Sequence, residues 1–250
     1  MDTPSLLPVL WQDDDLVAIH KPAGWLVHRT GLDAGETRFV VQTLRDQLGQ
    51  HVYPVHRLDK GTSGVLLMAL HAAAARELVK AFDMQAVHKR YVAMVRGWPS
   101  QAQWTVDHAL RPDDAAADAP PQSARTAFRT LATLQLDVPV DRYPATRAAL
   151  VEARPQTGRR HQIRRHLKHV SLPIIGDATH GKGPVNRWWA GQLARQRLWL
   201  HAESLTIQHP RTQLPLTFAS PIEDEAGERL NPDWMELQRG LPWQRQPGPA

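Results

Sequence analysis

His56-Arg57-Leu58-Asp59-Lys60-Gly61-Thr62-Ser63-Gly64 runs directly into Val65-Leu66-Leu67-Met68-Ala69-Leu70. The apolar half has the length and flanking turn residues of a short strand buried on both faces. The polar half, with two glycines, reads as a tight loop at the edge of a sheet, where functional side chains often sit. Asp59 stands between Arg57 and Lys60, two cations that favour its ionised form. A fixed, ionised carboxylate serves as a nucleophile or as the electrostatic partner of a developing cation. It also serves as an ordinary turn residue, because Asp-Lys-Gly is good turn chemistry, and on local chemistry alone that plainer reading has the edge.

Working outward, residues 16–19 read as a strand stopped by Lys21-Pro22-Ala23-Gly24. Residues 37–48 carry Val40, Val41, Leu44 and Leu48 at helical spacing, with Gly49 placed to end the helix. Ala75, Leu78, Val79 and Phe82 predict one apolar face of a second helix. Residues 89–95 alternate as a strand, with Tyr91, Ala93 and Val95 on one side and Val92 and Met94 on the other. Further strands are expected at 126–136, 148–154 and 198–207, and a helix near 160–169. Residues 111–125 lack periodicity and predict a surface excursion, and the Pro- and Gly-containing end after Asn231 predicts a weakly ordered tail. Many strands with a few interspersed helices argue for an α+β domain rather than strict βαβ alternation. The catalytic domain is placed at 1–222 and a C-terminal tail at 223–250, with no separate N-terminal RNA-binding module.

Hydrophobic residues make up 42% of the 250 and charged residues 22%, as in an ordinary soluble protein. No apolar stretch approaches the roughly 18–20 residues of a membrane span, and no basic-then-apolar leader opens the chain, so a cytoplasmic location is expected. The chain has no cysteine, which removes disulfides, thiolate metal sites and cysteine nucleophiles. There is no H-E-x-x-H helix, phosphate-binding glycine loop, dinucleotide fingerprint or nucleophile elbow, so no metal and no cofactor are expected. Net charge is +5, and its distribution matters more than its total. Arg154, Arg159, Arg160, Arg164, Arg165 and Lys168 follow one another with no acidic residue between them. Such a block suits a phosphate backbone and points to RNA, although a solvated basic helix face is a common alternative. On a helix, Ile163, Leu167 and Val170 make the apolar stripe. Arg164 then lies at the core edge, able to reach inward to a carboxylate, while Arg160, Arg165 and Lys168 face outward. Tyr91 is read either as a core residue or as a ring that stacks on an extracted base; spacing does not choose.

Taken in order, these runs resemble the RluA-type pseudouridine synthase family. Residues 56–64 match its His-Arg-Leu-Asp-x-x-Thr-Ser-Gly loop, and Lys21-Pro22-Ala23-Gly24 its early turn. Lys89-Arg90-Tyr91 matches its Lys-x-Tyr strand, and Gly158-Arg159-Arg160-His161-Gln162-Ile163-Arg164 its Gly-Arg-x-His-Gln-Ile-Arg segment. Ile174-Ile175-Gly176-Asp177 and Leu200-His201-Ala202 complete the series. Gly24-Trp25-Leu26-Val27-His28-Arg29, the stretch 45–51 and Arg164-Arg165-His166-Leu167 look like the family's C subgroup, whose members modify uridine 65 of tRNA.

The resemblance implies a mixed, mainly antiparallel sheet flanked by helices, with RNA bound across a central cleft. It implies that Asp59 acts on the ribose or the uracil ring, or assists a glycal route. Tyr91 would stack on the base and help remove the C5 proton, and Arg164 would pair with Asp59. Arg57 would hold the flipped nucleotide, Leu200 would wall the pocket, and Arg160, Arg165 and Lys168 would meet phosphates. The implied partner is RNA, tRNA first, with no DNA and no membrane, and a monomer is favoured. The competing expectations are an rRNA target, an RNA-binding protein without catalysis, and an RNA- or nucleotide-directed hydrolase pairing Asp59 with a histidine such as His56.

Overall fold

The apolar run after the Asp59 loop is strand β4 (Ser63–Ala69), and every residue in it is buried. It lies antiparallel to β2 (Leu16–Lys21), also buried throughout, in a register that sets Leu16 opposite Ala69 and Lys21 opposite Gly64. The computed structural model describes residues 6–29, 35, 37–112 and 119–246, which fall into two compact units. The first comprises Met1–His88 and Ala202–Pro232, the second Lys89–His201 and Asp233–Ala250.

In the first unit, β1 (Val9–Gln12) pairs β2, and β3 (Tyr53–Pro54) pairs β4. The part of β9 (Leu200–Gln208) that belongs here pairs β10 (Pro215–Ala219), again antiparallel. Leu16, Ala18, Val65, Leu67, Leu205 and Ile207 form one apolar cluster on these strands. Helix α1 (Val40–Leu48) follows the predicted stripe and stops at Gly49, whose φ of 67° is the left-handed turn a glycine adopts freely. Helix α2 (Ala72–Asp83) buries Ala74 and Leu78, whereas Val79, assigned from spacing to the apolar face, is 42% exposed. The stripe on this short helix is narrower than the sequence implied. A short α5 (Asp224–Leu230) follows β10.

In the second unit, β5 (His88–Arg96), β8 (Thr146–Pro155) and β7 (Arg125–Leu136) are neighbours, and β6 (Gln103–Asp107) pairs β7; all these pairings are antiparallel. Ala93, Val95, Phe128, Val151 and Leu200 pack with Ile163 and Leu167 of α3 (Gln162–His169). The excursion after β6 is pinched shut where Leu110 and Gln122 exchange backbone hydrogen bonds of 2.8 and 2.9 Å. Helix α4 (Gly183–Gln192) buries Val185 and Trp189.

The tail expected to be loose after Asn231 forms α6 (Pro232–Gly240) and β11 (Gln244–Arg245), which pairs β7. Trp234 explains the order: it is wholly buried, edge-on to Trp199 at 5.1 Å. Residues 247–250 and 113–118, parts of the predicted tail and excursion, lie outside the described residues.

Candidate active site

A lysine in the fully buried strand β2 needs compensation, and its backbone surroundings provide it. Lys21 Nζ donates to the carbonyl oxygens of Pro22 (2.9 Å), Trp25 (2.9 Å) and Lys60 (3.2 Å). Gly24 N adds a 2.8 Å hydrogen bond to the same Lys60 oxygen. The Lys-Pro-Ala-Gly turn is therefore a clamp on the loop that carries Asp59. Within that loop Thr62 N donates to Asp59 O at 3.0 Å, while Leu58, Thr62 and Ser63 are buried. Asp59 is left half-buried and Arg57 exposed. The loop ends at Gly64, whose φ of 113° and fit are both demanding: an added Cβ would lie 2.1 Å from the Ala202 carbonyl oxygen.

His56 is the histidine base that the hydrolase reading offers as its example. Its Nε2 accepts the Leu67 N–H at 2.9 Å, and its ring stacks on Phe82 at 4.7 Å. That bond places the ring proton on Nδ1, so neutral His56 has no free lone pair with which to accept a substrate proton.

In the second unit, Tyr91 lies on β5 opposite Ala153, half-buried against the apolar cluster that includes Leu200. Leu200 is 4% exposed. Next to Tyr91, Arg90 Nε donates to Glu152 at 2.7 Å, and Arg129 and Arg154 donate to the same carboxylate at 3.1 and 2.8 Å. Burial raises the Glu152 pKa, but the Arg90 and Arg129 hydrogen bonds outweigh it and hold the group below the usual carboxylate range. On the other side of Tyr91, Lys89 Nζ reaches Thr157 O at 3.3 Å, and burial lowers its pKa.

Helix α3 begins after His161, which holds a left-handed φ of 55°. The helix entry is tied down by Gln162. Its Oε1 accepts from Thr157 Oγ1 (2.6 Å) and Arg159 N (3.0 Å), and its Nε2 donates to Arg125 O (3.0 Å) and Thr126 Oγ1 (2.9 Å). One turn on, buried His166 bridges Thr126 Oγ1 and His108 O, both at 3.0 Å. Burial lowers its pKa, so the ring is neutral. Arg164 is 8% exposed and makes a bidentate pair with Asp177: Nε to Oδ2 at 2.7 Å, Nη2 to Oδ1 at 2.8 Å. The Thr179 and His180 N–H groups also donate to Asp177 Oδ1, at 2.9 and 2.8 Å. Burial pushes the Asp177 pKa up, but Arg164 and these N–H groups overcome it and hold the acid ionised.

The inward reach predicted for Arg164 is thus real, and Asp177 is its carboxylate within the second unit. Sequence reasoning quoted Asp177 without giving it a task. Arg160 and Lys168 are exposed, and half-buried Arg165 donates to Arg111 O at 2.8 Å. Asp59 and Arg57 belong to the first unit; Tyr91, Arg160, Arg164, Arg165, Lys168 and Leu200 belong to the second.

One further cluster has ligand-like spacing among the described residues: Asp13, Asp15 and His209, with donor atoms within 4.8 Å of one another. His209 Nδ1 accepts the Arg211 and Thr212 N–H groups at 3.2 and 3.1 Å, which leaves the proton on Nε2, 2.8 Å from Asp13. Arg211 Nε already stands 2.8 Å from Asp15 Oδ2. With a proton directed at Asp13 and a guanidinium in ion-pair range of Asp15, the cluster is a structural knot.

Comparison with known proteins agrees with this architecture. The solved structure described as Human RNA Pseudouridylate Synthase Domain Containing 1 superposes with a TM-score of 0.70, covering 99% of this chain and 100% of the other at 23% identity; that likeness concerns the fold. Two relatives named tRNA pseudouridine synthase C are closer in sequence. The one from Vibrio cholerae is 44% identical, over 96% of this chain and 97% of its own length. The one from Salmonella typhi is 46% identical, over 95% and 91%. The family model described as RNA pseudouridylate synthase matches residues 15–169, from the start of β2 to the end of α3. That span takes in the clamped Asp59 loop, the Tyr91 strand and the Arg164 helix, and the chain belongs to the RNA pseudouridylate synthase family.

Proposed function

We propose that this protein isomerises a uridine of tRNA to pseudouridine, that the target is uridine 65, and that the reaction depends on Asp59. The observation that carries the reading is the near-full-length similarity to tRNA pseudouridine synthases C, in a chain whose Asp59 loop is clamped by Lys21. The isomerisation breaks the N1–C1′ glycosidic bond, turns the base, forms a C5–C1′ bond and moves a proton from C5 to N1. No electron or group donor enters that balance. Asp59 acts at the reacting nucleotide, on the ribose, on the ring or through a glycal. Tyr91 stacks on the base and assists removal of the C5 proton, and Arg164 keeps the Asp59 carboxylate ionised and oriented. Arg57 holds the extruded nucleotide and Leu200 contributes an apolar wall.

A stem uridine must leave its stack at a cost of a few kcal/mol, and Arg160, Arg165 and Lys168 supply phosphate contacts that offset it. No helix among the described residues is long and apolar enough to cross a membrane, and the proposed place of action is the cytoplasm.

The test incubates the purified protein and Asp59→Asn with bulk tRNA and rRNA and maps pseudouridine by chemical adduct and sequencing. Wild type is expected to modify position 65 of tRNA, and Asp59→Asn to lose at least roughly 10³-fold of that rate. Comparable modification of rRNA overturns the tRNA assignment, and a fully active Asp59→Asn overturns the site.

A further inference from the structure

Beside the start of α4 the second unit holds a half-open pocket of about 450 Å³, within the roughly 300–1,000 Å³ of small-molecule sites. Trp98, Tyr143, Pro144 and Val185 give it an apolar wall, and Arg96 and Arg147 lie on its lining. Arg96 stands on β5 opposite Ala148, the far end of the strand from Tyr91. The cations here are arranged on aromatic rings. Arg147 lies 4.5 Å above the Trp98 ring, and Arg96 and Arg142 each lie 5.4 Å from the Tyr143 ring centre.

Trp98 is fixed by its indole N–H to Leu134 O at 2.9 Å, yet remains 41% exposed. Arg96 and Arg142 both donate to Tyr143 Oη, at 3.1 and 3.3 Å. The Arg142 bond and the neighbouring positive charges lower the Tyr143 pKa. Lys182 pairs with Asp141, whose charge also acts on the adjacent Arg142, but Arg96 and Arg147 have no carboxylate partner among the described residues.

Two guanidiniums without a carboxylate partner among the described residues, each over an aromatic ring beside an apolar hollow, fit a ligand that is planar and anionic. Arg planes and aromatic rings accept an unstacked base, and guanidiniums accept its phosphate in a bidentate fashion. An acidic peptide would satisfy the charge but leave the aromatic wall unused. We propose that this pocket is a second RNA-contact site, separate from Tyr91, that takes one unpaired nucleotide of the bound RNA. Its RNA assignment rests on the tRNA reading above; its nucleotide chemistry does not.

The test measures binding of fluorescent tRNA to the full chain by anisotropy across a salt series, for wild type and Arg96→Gln/Arg147→Gln. Loss of two phosphate contacts is expected to weaken affinity at least about 10-fold and to reduce the slope of log K against log salt by between about 1 and 2. The turnover number at saturating tRNA should not move. In parallel, wild-type protein is photocrosslinked to 4-thiouridine-substituted tRNA, and crosslinks are expected in the peptide carrying Trp98 or Tyr143, a readout independent of how the variant folds. Unchanged affinity and slope with no crosslink there overturns the proposal. A titration with UMP separates the sources: UMP binding that the double variant abolishes, with tRNA binding untouched, assigns the pocket to a free nucleotide and overturns the RNA assignment. Crosslinking here by a protein that makes no pseudouridine sinks the activity reading and leaves this one standing; normal activity with an unaltered salt slope does the reverse.

Discussion

Arg164 sits in a place where an unpaired guanidinium would not be tolerated, and Asp177 meets it there with both carboxylate oxygens. Both groups are buried and joined by two hydrogen bonds, so neutralising Asp177 takes a bidentate, charged partner from a buried guanidinium. Asp177→Asn is expected to cost about 3–5 kcal/mol in urea unfolding. The pH dependence has a definite sign. Asp177 and Glu152 bind protons less readily folded than unfolded, so their contribution is present above the ordinary carboxylate range and is lost as pH falls through their lowered folded values. His166 is also lowered, so acid begins to cost stability near the unfolded histidine value of about 6.5. Stability measured from pH 8 down to 3 should fall first between about pH 7 and 5 and again below about pH 4, with the second fall reduced in Asp177→Asn. Asp59 and Tyr91 were legible as candidates because a polar loop before a buried strand and a strict alternation are local patterns. Asp177 was not, since its partnership with Arg164 spans 13 positions and leaves no periodic trace.

At the scale of elements, two glycines with left-handed backbone carry different loads. Gly49 closes α1 in open space, while Gly64, the second residue of β4, has the Ala202 backbone in the way of any Cβ. Gly49→Ala is expected to cost about 1 kcal/mol, the usual penalty for a left-handed cap. Gly64→Ala should cost at least about 3 kcal/mol, or leave no folded protein, because strain and clash add. Equal denaturation midpoints for the two variants would contradict this difference. Helical periodicity revealed α1 and α2, and apolar runs revealed β2 and β4. The short strands β1, β3 and β6 escaped because two to five residues hold too few alternations to stand out.

Across the whole molecule, order extends further along the chain than composition suggested. Proline and glycine near the C-terminus obscured α6, whose Trp234 closes over Trp199 in the second unit. Trp234→Ala is expected to lower stability by about 3–5 kcal/mol. Hydrogen exchange should then speed up at Trp199 and through α6 while β2 and β4 keep their protection, and uniform loss of protection would show that the helix is not a local brace. The Leu110–Gln122 clasp has a consequence of another kind. A loop that leaves and returns through one hydrogen-bonded doorway can change length or content without altering the strands on either side, since doubling it adds only about 0.6 kcal/mol of closure entropy. Changing the number or identity of residues between Leu110 and Gln122 is therefore expected to leave the pairing of β6 with β7 intact, which hydrogen exchange on those two strands would report.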